Sequence, residues 1–218
     1  AIVEKKLKSG VSIKRRRNRK IDSIITELRL AESHGFIRVI FMDSFLIGET
    51  NYLIELFDRY KNEIDIPFFA QLFPDQVLRN PVILEKAVEA GMAYTVIGIQ
   101  SGSERVNNEI FKRKTSNENI IKFSKMICRY DNVSLDYHII THNPFETEND
   151  IKEGLDLVSR LPKKNAQLVL QRLRPFPGSI LYSMIKQTDS KGVNEEYLHK
   201  VFMLYLIRFC APDDKFKK

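Results

Sequence analysis

The feature that most constrains this chain is a repeated alternation of short apolar runs with amphipathic stretches. Phe36–Met42, Ile66–Phe73, Ala93–Gln100, Val133–Thr141 and Ala166–Leu173 are runs rich in β-branched and aromatic residues. Between them lie segments with apolar residues at helical spacing, such as Ile21, Ile24, Ile25 and Leu28, or Leu53, Ile54, Leu56, Phe57 and Tyr60. Strand and helix alternating at roughly 30 to 40 residues predicts βαβ units and a parallel sheet. Right-handed crossovers turn such a series into an open doubly wound sheet or a barrel, and both bind ligands at the C-terminal ends of the strands.

Punctuation supports these elements. Asn80 and Pro81 predict the start of a helix that ends at Gly91, Ser116 is a cap for a helix over 117–129, and Thr147 with Asp150 forms a capping pair for a helix through Leu161. Further helical pieces are expected at 104–111, 180–186 and 195–209, with a polar break at 188–194.

Of 218 residues, 43% are hydrophobic and 29% charged, enough for a real core and against wholesale disorder. The net charge of +7 is concentrated at one end. Lys5, Lys6, Lys8, the run Lys14–Arg17, Arg19 and Lys20 face only Glu4 within the first 20 residues, which leaves the remainder near neutral. A solvated basic leader is expected there, and phosphate or RNA contact is the alternative. Cys128 and Cys210 are the only cysteines, which excludes a disulfide scaffold and any CxxC-type metal site formed by this chain alone. No apolar run is long enough to span a bilayer and no signal-peptide pattern is present, so no membrane partner is expected and a reducing cytoplasm is the default location.

The residues after each apolar run carry polar chemistry: Asp43-Ser44 after the first, Gln100-Ser101-Gly102-Ser103 after the third, His142 to Thr147 after the fourth, and Pro175 to Ser179 after the fifth. Singly, each reads equally well as a cap or turn. As an ordered set they resemble the radical S-adenosylmethionine (radical SAM) enzymes, in the branch that carries a cobalamin-binding domain. Ile97–Ser103 is similar to that family's fourth-strand segment, and Ile110–Ser116 to the basic motif that follows it. Pro144-Phe145-Glu146-Thr147 resembles its Pro-x-Glu-Thr segment, and Pro175–Ser179 its Pro-Gly-Thr segment.

The resemblance implies a partial TIM-like (β/α)6 barrel that lacks its first strand, with about five parallel strands and helices outside. Residues 1–18 would be the basic leader, 19–187 the radical SAM core and 188–218 a C-terminal helical extension. It also implies S-adenosylmethionine as cofactor, with Asp43 facing its amino group, Gln100 and Ser101 its ribose and amino acid moiety, Arg113 its carboxylate, and Ile140 the adenine or simply the core. A planar guanidinium suits a carboxylate because it donates two parallel bonds. His138 and His142, at i and i+4 on a strand, would share a face and serve as polar cavity residues. Two histidines without a third ligand do not form a zinc site. Glu146 and Thr147 are expected to cap the following helix.

The departure from the family is the absence of its Cys-x3-Cys-x2-Cys loop, so no metal ligand and no catalytic residue is assigned to this chain. The expectation is a fragment: the full-length protein is a radical SAM oxidoreductase or transferase. Its [4Fe–4S] cluster would be held by residues upstream, missing from this chain, with cobalamin a further candidate. There, a 5′-deoxyadenosyl radical would act on a small-molecule substrate or support methyl transfer. The alternative is a cluster-less βα-barrel module that binds a nucleotide-like ligand or RNA.

Overall fold

The computed structural model describes residues 18–42, 46, 48–187 and 195–210. The basic leader, apart from its last residue, together with Asp43 and the 188–194 break, lies outside the described residues.

Five parallel strands form one sheet in sequential order: β1 (Val39–Ile40), β2 (Phe68–Phe69), β3 (Met92–Gln100), β4 (Ser134–Thr141) and β5 (Ala166–Arg172). Eight α-helices are described: α1 (Ile21–Ser33), α2 (Thr50–Glu63), α3 (Pro74–Arg79), α4 (Val82–Glu89), α5 (Asn117–Ile127), α6 (Glu148–Arg160), α7 (Ile180–Gln187) and α8 (Glu195–Cys210). The sequential order selects the barrel-like option over the doubly wound one, because a doubly wound sheet reverses its strand order part-way.

Strand alternation separates two faces. Leu135, Tyr137 and Ile139 of β4 are buried on the helical side, whereas Asp136, His138 and Ile140 point to the concave side. On the helical side Phe68 stacks on Phe57 of α2, with ring centroids 6.0 Å apart, and meets Tyr60 at 4.8 Å and Phe41 edge-on at 5.5 Å. Burying each such ring contributes about 1.5–3 kcal/mol, so this aromatic cluster fixes α2 against the first two strands. The Tyr60 hydroxyl keeps its polarity satisfied by donating to the Ile66 carbonyl at 2.7 Å. At the other end, Tyr137 packs edge-on against Phe209 of α8 at 5.9 Å and donates to the Pro162 carbonyl at 2.9 Å. Residues Val201, Tyr205 and Phe209 thereby seat α8 on α6 and β5.

Several local expectations change. The first two strands shrink to two-residue ladders, and a register shift at Phe68–Phe69 interrupts the pairing of β2 with β3. Pro74–Arg79, which the sequence reading left unassigned, forms a short helix with proline in its first turn. Asn80 therefore closes α3 rather than opening the next helix, and Pro81 takes the cap position of α4. The 104–111 piece contains a π-helical turn over Val106–Ile110. The caps at Ser116 and Thr147 form as expected, the latter as a reciprocal capping box with Asp150. No helix among the described residues is long and apolar enough to cross a membrane.

Candidate functional site

The C-terminal end of β3 is built by backbone conformations that only tertiary structure can impose. Gln100 closes the strand in the left-handed region at φ 68°, and the chain turns through Ser101-Gly102-Ser103 into the π-helical turn. Lys112, again left-handed at φ 53°, swings the chain back so that Arg113 returns to the strand it left. Its backbone N–H donates to the Asn107 carbonyl at 2.8 Å and its guanidinium to the Gly98 carbonyl at 2.9 Å. π-Helical turns of this kind concentrate at functional sites because they aim a side chain that a regular helix would carry elsewhere.

Gly98 is the floor of this arrangement. A Cβ placed there would lie 2.5 Å from the Gln100 amide nitrogen and 3.8 Å from an Arg113 guanidinium nitrogen. On the neighbouring strand its register partner is His138, whose ring is partly exposed and whose Nδ1 lies 3.3 Å from the Gln171 side-chain nitrogen of β5. Gln100 and Arg113 therefore converge on a position with no side chain, and His138 stands beside it on the next strand. Burial lowers the Arg113 pKa, and among the described residues no carboxylate forms an ion pair with it.

Ser101 does not join them. It is 1% exposed, and its hydroxyl donates to Glu146 at 2.7 Å. Burial pushes the Glu146 carboxyl up to about 7, the Ser101 hydrogen bond working against that rise and the nearby Asp150 charge adding to it. Glu146 thus ties two βα loops together instead of capping the helix, and Thr147 does the capping in partnership with Asp150. Behind this link, Ser103 donates to Asp150 at 2.6 Å, and Arg105 reaches both Asp150 oxygens at 3.1 and 2.6 Å. Although burial opposes it, these hydrogen bonds and those from Thr147 hold the Asp150 carboxyl well below the usual range. Gly102 lies against Gly154 so closely that a Cβ on Gly102 would stand 2.2 Å from the Gly154 Cα.

His142 departs from the shared face expected with His138. It follows the last residue of β4 at φ 62°, so the two-residue alternation does not carry through to it, and its Nδ1 lies 2.8 Å from the Thr141 hydroxyl. It lines a small cleft with Ile140, Asn143, Glu146 and Tyr205 rather than the surface around Gly98. Ile140 is half-buried at the rim of that cleft. Asp43 lies outside the described residues, so its place relative to Arg113 is not described.

No family model matches the sequence, and no curated protein matches it. Among solved structures, the chain is similar to OxsB, a cobalamin-dependent S-adenosylmethionine radical enzyme, in a complex with aqua-cobalamin and S-adenosylmethionine. The superposition has a TM-score of 0.56 at 18% sequence identity. The likeness is one of fold, a parallel βα sheet of barrel type. The match covers 83% of this chain but 26% of OxsB, so the chain spans about a quarter of its neighbour's length. An HMG-CoA lyase from Bacillus subtilis superposes at a TM-score of 0.41 and 15% identity, over 85% of this chain and 67% of the lyase, a likeness too loose to argue from.

Two features of the site were beyond sequence reasoning. The link from Ser101 to Glu146 joins residues 45 positions apart, and the Tyr94 hydroxyl donates to Asp136 across 42 positions. The alternation of β4 places Asp136 on the concave side with His138, which is the one signal that could have singled it out.

Proposed function

We propose that this chain is the S-adenosylmethionine-binding part of a radical SAM enzyme, an oxidoreductase or transferase in its full-length form. The observation that carries the reading is Arg113: a half-buried guanidinium with no acidic partner among the described residues, at the strand ends where parallel βα folds take ligands. A buried cation without a counter-charge is costly, and a ligand carboxylate would relieve that cost. The missing side chain at Gly98 supports the fit, since the Gln100 amide takes the space where a Cβ would stand and so lies close to the guanidinium.

In this reading Arg113 anchors the carboxylate of the methionine moiety. Gln100, held by its left-handed backbone, offers an amide to hydroxyl groups, and the His138 ring borders the same space. Bound there, S-adenosylmethionine would supply radical chemistry: one electron from a cluster held outside this chain would cleave its S–C5′ bond, releasing methionine and a 5′-deoxyadenosyl radical that takes hydrogen from a substrate. The residues of this chain bind and orient the cofactor and restrict what reaches it.

The chain does not fit the iron–sulfur cluster. A [4Fe–4S] cluster is held by thiolates, and only two cysteines are present in the sequence. Cys128 is partly buried, with its thiol pKa pushed up by that burial and so away from the thiolate form, and Cys210 lies at the end of α8. Among the described residues no group of three or more His, Cys, Asp or Glu side chains could hold a metal ion. The cluster, and cobalamin if the full-length protein uses it, would be held by residues outside this chain.

The test is calorimetric titration of S-adenosylmethionine into the wild type and Arg113→Ala. Loss of a charge-assisted pair, about 1.5–3 kcal/mol, predicts roughly 10- to 150-fold weaker binding in the variant. Equal affinity in both proteins would remove the reading. Adenosine binding as tightly as S-adenosylmethionine would favour the nucleotide-binding module instead.

A further inference from the structure

We infer that the N-terminal half of the concave face is a second binding site, built on Asp136 and Tyr94, for a small organic monocation with an apolar body, such as an amine or amidine. The site lies toward the N-terminal ends of the strands and meets the Arg113 end at His138, whose Nε2 is 3.8 Å from Asp136. Tyr94 precedes Gly98 by four strand residues, about 13 Å at the rise of a β-strand.

Its centre is an under-satisfied carboxylate. Asp136 is 5% exposed, and among the described residues its side chain accepts one hydrogen bond, from the Tyr94 hydroxyl. The nearest cationic candidate, the His138 Nε2, stands 3.8 Å away, beyond hydrogen-bond reach. A carboxylate offers about four acceptor positions, and a buried one requires pairing. Tyr94 has spent its only proton on Asp136, so toward the cavity it presents an acceptor. Both groups therefore call for a donor.

The surrounding space matches that demand. A polar cavity of about 360 Å³ is bordered by Tyr94, Ser134, Asp136, Lys163 and Gln167. A larger, mostly apolar cavity of about 630 Å³ is bordered by Arg38, Ile40, Pro67, Phe69 and again Tyr94 and Ser134. Both volumes are of the size that holds small molecules. Tyr94 and Ser134 belong to both, so one ligand can place a donor head at Asp136 and an apolar body along Phe69, whose ring lies 5.2 Å from that of Tyr94. These aromatic faces also favour a cation. Lys163 borders the polar cavity and Arg38 the apolar one, which disfavours a second positive charge and restricts the ligand to a monocation.

Benzamidine, a planar apolar ring with one amidinium, is the probe, and neutral benzamide is its control of nearly the same shape. Titrations followed by amide chemical shifts, with no S-adenosylmethionine present, read this site whatever the Arg113 end binds. Benzamidine is expected to bind, shifting residues of β3 and β4 around Tyr94 and Asp136, with benzamide at least about 10-fold weaker. Asp136→Asn should erase that preference. If Asp136→Asn does not fold, Ser134→Arg, which adds a cation at an exposed position shared by both cavities, should abolish benzamidine binding. Equal binding of the two probes to the wild type, no binding of either, a preference for benzamidine that survives Asp136→Asn, or benzamidine binding that survives Ser134→Arg overturns the inference.

Discussion

Ser101 donates a 2.7 Å hydrogen bond to Glu146, joining the turn after β3 to the loop after β4 through a carboxyl whose pKa burial has pushed up to about 7. Further contacts from the same turn to α6 reinforce the link. Ser103 and Arg105 hold Asp150, and Gly102 packs on Gly154. Together they set the height at which β3 ends, and therefore where Gln100 and Arg113 stand.

Glu146 should make stability depend on pH. Its folded value lies above the ordinary 4.5, so the folded state holds the proton more tightly. The stabilisation is complete below about 4.5 and is lost as pH rises through about 7. Glu146→Gln, which mimics the protonated acid, should therefore gain on the wild type by up to roughly 3 kcal/mol between about pH 5 and pH 8. Urea unfolding at both pH values measures it. A difference between the two proteins that does not change with pH would contradict the assignment.

Asp150 should matter more than its partner Arg105. Asp150→Ala removes the anchor for Ser103, Arg105 and Thr147 and the capping box of α6, an expected loss of about 2–3 kcal/mol from the cap and the hydrogen bonds together. Arg105→Ala leaves the Ser103 and Thr147 hydrogen bonds in place and should cost less. Thermal unfolding of the two variants ranks them, and the reverse order would refute the hierarchy.

Gly102→Ala should be severely destabilising for a steric reason alone. The new Cβ meets backbone, the Gly154 Cα at 2.2 Å, which cannot rotate away. Overpacking at a site that cannot relax costs about 1–3 kcal/mol or more. A melting temperature within a degree or so of the wild type would show that the loops are not in contact.

Gly98→Ala should behave in the opposite way. Its Cβ meets the tip of the Gln100 side chain, a flexible group that can move, so stability should change by less than about 1 kcal/mol. Displacing that amide should weaken S-adenosylmethionine binding measurably by calorimetry. Retained affinity would detach Gln100 from the ligand.

Strands β3, β4 and β5 were legible in the sequence to within a residue or so, because each is a long apolar run bounded by turn residues. β1 and β2 were legible as apolar runs but not in their length, since ladder pairing depends on register with a partner strand, which no local pattern encodes. Ser116 and Thr147 were readable because caps are local chemistry. Arg113 was readable as a residue type, yet its return to β3 depends on the π-helical turn and on a left-handed Lys112, neither of which its neighbours announce. Ser101 was assigned by position at a strand end; its commitment to Glu146 is a tertiary fact. Asp136 escaped notice because its meaning comes from Tyr94 on another strand.

Adjacent strands β3 and β4 are each followed or closed by a side chain where glycine would be the relaxed choice, Gln100 at φ 68° and His142 at φ 62°. Left-handed backbone at such residues costs of order 1–3 kcal/mol, which the surrounding structure must sustain. Selection for thermal stability alone would drift toward glycine at both positions, erasing an amide and an imidazole as it did so. In the proposed reading, the strain at Gln100 is the cost of holding an amide beside Arg113.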